Sequence, residues 1–158
     1  MPRCGPGALG LALCALAARG ELMMGISYGP VPLKGSSAVA AASQLPQDDW
    51  YCGEAVPMWG RAGRGDLRHM KLMGANAVRL YGNNPDVDHT TFLDEARKEG
   101  LDVLPGMSDH PFYQMNAGSC RHTNYNCFTQ VKPSYLKNLQ KGFLLVDRTY
   151  HPALRAMN

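Results

Sequence analysis

The chain has 158 residues, with Lys+Arg 16 against Asp+Glu 13, a formal net charge of +3, 45% hydrophobic and 18% charged residues. That length suits one domain, is too short for two, and falls well short of the roughly 250 residues of a closed eight-fold βα barrel. The composition excludes a disordered, collagenous or multi-span membrane chain, and so small a charge, with no basic stripe interleaved with aromatics, gives no case for nucleic acid.

Residues 1–20 read MPRCGPGALGLALCALAARG. Arg3 supplies a short basic start, Ala8 to Ala18 is apolar apart from Gly10, and Ala15-Leu16-Ala17 offers small residues at an A-x-A cleavage site. This is the layout of a secretory signal peptide over residues 1–18, and its apolar run is too short for the roughly 20 residues that span a bilayer. A short buried helix is the alternative, against which Gly5, Pro6, Gly7 and Gly10 argue. The expected organisation is therefore a leader, 1–18, and a secreted domain, 19–158, with no membrane span after cleavage. Removal of the leader takes Cys4 and Cys14 and leaves Cys52, Cys120 and Cys127 in an oxidising compartment, where an odd set closes at most one internal disulfide.

Gly25-Ile26-Ser27-Tyr28-Gly29-Pro30-Val31-Pro32 reads as a first strand with a proline stop. Residues 33–65 read as a long loop carrying an aromatic patch, Trp50, Tyr51 and Trp59. Leu67, Met70 and Met73 fall at helical spacing from Asp66, with Gly74 placed to end the helix. Ala77 to Tyr81 is a second strand, and Gly82-Asn83-Asn84-Pro85 its turn. A second helix follows, capped by Asp86 or Asp88, with Phe92, Leu93 and Ala96 on one face and Gly100 in the C′ position. Leu101 to Pro105 is a third strand, followed by a polar, Cys-bearing loop from about 106 to 130. Tyr135, Leu136, Leu139 and Phe143 then share the face of a third helix, and His151 leads into the start of a fourth strand. Alternation of this kind specifies an α/β fold with a parallel sheet and right-handed crossovers.

Arg79 is the residue with most to say. Alternation places Arg79 and Tyr81 on one side of the second strand and Val78 and Leu80 on the other. If the apolar pair faces the helices, Arg79 and Tyr81 face the sheet's other side near its C-terminal end, where barrel active sites lie; an incidental salt bridge is the alternative. Ser108, Asp109 and His110 follow the third strand, where they either bind sugar hydroxyls and move protons or, for Asp109, cap a turn before Pro111. Asn83 and Asn84 face the same choice between hydrogen bonding to sugar and turn geometry. Cys120, His122 and Cys127, with or without Cys52, match no common metal knuckle, so a disulfide is preferred, either Cys120–Cys127 or one of these with Cys52. In GRAGRGDLR, residues 60–68, Asp66 reads as a helix N-cap, and Arg64-Gly65-Asp66 as a chance adhesion tripeptide. No phosphate loop, zinc motif, nucleophile elbow or N-glycosylation sequon occurs, and no cofactor or metal is expected.

In order, GISYGPVP, the CG before GDLRHMKLMGANAVRLYG, DHTTFLDEARKEGLDVLPGMSD and YHPALRAMN resemble the front of a glycoside hydrolase clan with (β/α)8 barrel domains. The nearest likeness is to secreted β-1,3-glucanosyltransferases. The resemblance implies the N-terminal part, about three and a half βα units, of an incomplete TIM barrel, and a parent acting on a β-glucan-like polysaccharide by a retaining mechanism. It assigns Arg79 the place of the arginine that orients the nucleophilic carboxylate, Tyr81 the group beside it, and Tyr28 the same mouth from strand one. Asn83 and Asp109 complete the expected substrate-binding set. The chain departs from the family at Gly106, where the family has an acid, and at Phe92, where it has the cysteine that would pair with Cys52. The family's acid/base Glu follows strand four and its nucleophile follows strand seven, so this chain ends before either. Glu54, Glu95 and Glu99 match neither role and read as solvated. The chain itself is therefore expected to bind rather than catalyse, and a non-catalytic carbohydrate-binding or cell-surface interaction protein, using Trp50, Tyr51, Trp59 and the Cys loop, is the alternative.

Overall fold

A computed structural model describes residues 22–29, 49–106 and 120–155. The expected leader, Asp109 and the rest of the Ser108–His110 group lie outside the described residues. Three short strands, β1 (Gly25–Tyr28), β2 (Ala77–Leu80) and β3 (Asp102–Leu104), form one parallel sheet in the order β1-β2-β3. A parallel bridge from Val103 to Leu154 puts the chain beside β3 again, where a fourth strand was expected to begin. Val103 N donates to the Ala153 carbonyl and Arg155 N to the Val103 carbonyl, closing that edge. The fold is mixed α/β.

Register decides which side chains share a face. Ile26 pairs with Val78, Tyr28 with Leu80, and Val78 with Val103, so these five residues point to one side. Tyr28, Val78, Leu80 and Val103 there join a single core with Met58, Trp59, Leu67, Met70, Phe92, Leu93, Ala96 and Phe143. Of these, all but Phe143 come from three helices, α1 (Val56–Trp59), α2 (Asp66–Leu72) and α3 (Thr90–Lys98), or from the strands themselves. Ser27, Arg79 and Leu104 lie side by side on the opposite face.

Both helical segments expected between the strands form, and each ends at its glycine. Met70 accepts from Ala75 N and Ala96 from Leu101 N, wrapping the chain back at Gly74 and Gly100 in left-handed backbone. At the start of α3 Asp88 Oδ1 accepts from Thr90 N at 2.9 Å, whereas Asp86 instead pairs with Lys137.

Three sequence expectations change. The stretch 49–65 is not a plain loop: a 3₁₀ turn (Gly53–Ala55) leads into α1. Its aromatic patch is core rather than surface, with Tyr51 and Trp59 both buried and each edge-on to the Phe92 ring. The reason is that isolated aromatics lacking a period cannot report burial from sequence; only the packed partner does. The third helix, α4 (Cys127–Asn138), starts inside the stretch expected to be loop up to about residue 130 and runs through Pro133. Its first turn is held instead by the Cys120–Cys127 disulfide and by Asn126, whose side chain accepts from Thr129 N. A wider turn, Leu139–Phe143, follows directly and buries Phe143, while Leu136 stays exposed.

Candidate functional site

The C-terminal end of β2 is where the sequence-derived residues converge or separate. Arg79 and Tyr81 are two apart on an extended strand and therefore emerge on the same face. The Arg79 guanidinium carbon sits 4.3 Å from the centre of the Tyr81 ring, a cation–π contact, and Tyr81 is 51% exposed. The contact sets the planar guanidinium against the aromatic ring. Beside it, the chain leaving β3 comes very close: a Cβ at Gly106 would lie 2.0 Å from the Tyr81 carbonyl oxygen and 2.6 Å from that of Leu80. No side chain fits there, so the close approach requires glycine.

Tyr28 is not part of this grouping. In register with Leu80, it lies on the helix-facing side of the sheet, buried, and its hydroxyl donates to Asp66 Oδ2 at 2.8 Å. Burial, reinforced by the Asp66 charge, raises the phenol well above its ordinary pKa and keeps it protonated. The expectation that Tyr28 lines one mouth with Arg79 is thus corrected by register, which sequence does not contain. Asp66 likewise makes no side-chain cap. Gly65 occupies the N-cap position, and the Asp66 carboxylate instead receives Arg64 Nε and Nη2, each at 2.6 Å. The tripeptide Arg64-Gly65-Asp66 is consequently tied into the fold.

Asn83 also changes role. It is 2% exposed and belongs to a buried polar network that joins four segments of the chain. Its Nδ2 donates to the Tyr51 hydroxyl, and its Oδ1 accepts from Asn138 Nδ2 at 3.1 Å. Asp49 is the hub: Oδ1 accepts from Tyr51 N at 3.2 Å, and Oδ2 accepts from Asn84 N at 2.9 Å and lies 2.8 Å from His89 Nε2. The His89 ring stacks on Tyr51 with centroids 3.9 Å apart. Asp49, His89 and Asn138 are not marked out in the sequence, because isolated polar residues at turns and helix ends carry no local sign of burial.

The cysteines resolve the open pairing. Cys120 and Cys127 are bonded with their Cα atoms 4.7 Å apart, and Cys52 is a buried free thiol. Cys52 Sγ donates to the Asp49 carbonyl at 3.3 Å, and burial, with the Asp49 charge, pushes its pKa up to about 12. A thiol so held is a poor nucleophile at neutral pH. No group of His, Cys, Asp and Glu among the described residues is arranged to hold a metal ion. Glu95 and Glu99, read as solvated, are instead largely covered and paired with Lys98 at 3.5 Å and Arg61 at 3.6 Å, whereas Glu54 is exposed. Among the described residues no helix is long and apolar enough to cross a membrane.

Comparison of the chain with protein-family models, curated proteins and solved structures finds no match.

Proposed function

We propose that the chain is a secreted polysaccharide-binding βα unit of glycoside-hydrolase type, in which the Arg79–Tyr81 pair contacts a β-glucan-like sugar. The observation that carries this reading is the position of that pair: on the sheet face opposite the helices, at the C-terminal end of the central strand. In parallel α/β folds ligands gather at the C-terminal ends of strands. Sequential strand order with the helical residues on a single face also agrees with the front of a barrel rather than with a doubly wound sheet, whose helices cover both faces. The sugar contact rests on Tyr81 as a stacking plate and Arg79 as a hydroxyl-directed fork, with no residue of this chain assigned to acid/base or nucleophilic work. Secretion through the leader fits the Cys120–Cys127 disulfide, which persists in an oxidising compartment.

Titration calorimetry with a short β-1,3-glucan oligosaccharide tests the reading. Binding is expected for the intact chain and should weaken about tenfold or more in Tyr81→Ala and in Arg79→Ala, the loss expected when an anchoring contact is removed. Unchanged binding in both variants, or none in the native chain, would sink it. Turnover of the glucan by the chain alone would show that catalytic carboxylates have been overlooked.

A further inference from the structure

Charge along this chain is strongly segregated. Residues 110–146 contain Arg121, Lys132, Lys137 and Lys141 and not one Asp or Glu, although the whole chain holds Asp+Glu 13. The fold gathers part of this segment onto one surface. The Cys120–Cys127 disulfide ties the turn Cys120–His122, which carries Arg121, to the first residue of α4, and Asn124 and Tyr125 between the two cysteines adopt left-handed backbone, with φ of 53° and 60°. Two consecutive non-glycine residues in that region are uncommon, and the tight loop presents Tyr125 outward, 69% exposed. Along α4, Phe128, Lys132 and Leu136 follow at four-residue spacing on one exposed stripe, with Phe128 at 72% exposure. The Lys132 ammonium lies 5.9 Å from the centre of the Phe128 ring. The inward side of the same helix carries the buried Asn138, so this stripe is the face turned away from the core.

We propose that this disulfide-braced surface, Arg121, Tyr125, Phe128 and Lys132, binds an anionic polysaccharide, one bearing sulfate or carboxylate groups. It goes beyond the sugar contact assigned to Arg79 and Tyr81 and uses none of those residues. Two exposed cations with two exposed aromatic rings between them match a polymer that alternates anionic groups with apolar ring faces. Charge complementarity selects an anionic partner, and the N-terminal end of α4, with its positive dipole, points the same way. A lipid surface fits less well, because Lys132 sits within the apolar stripe rather than along its border, and insertion would bury its ammonium. Lys137 takes no part, its ammonium being 2.7 Å from Asp86 Oδ1.

The test uses the full chain with dextran sulfate as the probe, beside uncharged dextran, phosphatidylserine/phosphatidylcholine vesicles and a short duplex DNA. Binding to dextran sulfate but not to dextran is expected, weakening as salt rises. Arg121→Glu/Lys132→Glu should weaken it about tenfold or more, since reversing two charges changes several pairwise terms of this size. Tyr125→Ala/Phe128→Ala should also weaken it, with the salt dependence unchanged. Arg68→Glu/Arg97→Glu, which alters exposed cations on α2 and α3, should bind as the native chain does, and circular dichroism reports whether each variant is folded. Equal loss in the α2/α3 variant would mean diffuse attraction and overturn the proposal. Absence of binding to dextran sulfate, or tighter binding to the vesicles or the DNA, would overturn it as well.

Discussion

His89 Nε2 lies 2.8 Å from Asp49 Oδ2, and neither side chain is exposed. Forty positions apart in the chain, the two tie the segment before α1 to the start of α3. Because Asp49 also accepts from Tyr51 N and Asn84 N, its loss strands three partners at once, those at Tyr51 and His89 buried and that at Asn84 partly so. Asp49→Ala is expected to cost about 3–5 kcal/mol, the range for removing one partner of a buried pair. Urea unfolding followed by circular dichroism measures it, and a loss below about 1 kcal/mol would mean that the network closes without Asp49.

Gly142 is held at φ +107°, and a Cβ there would meet Thr90 N at 2.6 Å and Thr90 Oγ1 at 2.8 Å. Those atoms begin α3, and the adjacent Lys141 carbonyl accepts from His89 N, so the clash falls on a junction between two elements. Gly142→Ala should destabilise by about 1–3 kcal/mol through backbone strain and displacement together. Gly53→Ala, where nothing lies within 4 Å, is the control and should leave the thermal midpoint nearly unchanged.

The Cys120–Cys127 bond closes a short loop, with a sequence separation of 7. Loop-closure entropy assigns such a ring about 2.5 kcal/mol. Cys120→Ser/Cys127→Ser is expected to lower the urea midpoint accordingly and to expose the Arg121–His122 peptide bond to trypsin. Equal stability and equal protease resistance in the two forms would show that Asn126 alone secures the start of α4.

Cys52 gives a pH dependence whose sign is determined. Its thiol has an ordinary value of 9.0, and burial with the Asp49 charge raises it to about 12 in the folded chain. Between these values the unfolded chain has lost the proton and the folded chain retains it, so this group's contribution is complete below pH 9.0 and is lost as pH rises toward about 12. Unfolding midpoints of native chain and Cys52→Ala should therefore converge or cross between pH 8 and pH 11, the native chain falling more. Parallel curves would count against a buried thiol. At neutral pH a thiol reagent should label Cys52 only after unfolding.

Local chemistry made the alternation of strands and helices legible. Leu67 and Met70, and Phe92, Leu93 and Ala96, announced two apolar helix faces, and Gly74 and Gly100 marked their ends, but Met73, read with the first face, lies past the helix and is exposed. The polar sequence up to about 130 reads as loop, yet α4 begins at Cys127 and tolerates Pro133, because a disulfide and the Asn126 cap hold its first turn from outside the helix. At the site, strand parity was enough to put Arg79 and Tyr81 together. Tyr28, which the resemblance put at the same mouth, pairs with Leu80 and so lies on the opposite face, because parity within one strand says nothing of its alignment with the next.

What the sequence by itself determined is what depends on neighbours a few positions apart: helical and strand periods, glycine stops, the parallel α/β class and the pairing of Arg79 with Tyr81. Tertiary structure alone decided strand register, the burial of Tyr51 and Trp59, the choice of Cys127 as partner for Cys120, and the meeting of Asp49 with His89. These depend on which distant groups share a low-dielectric interior, where a polar atom must find a partner and an aromatic ring must find a neighbour. Such partners are chosen by the whole packed chain.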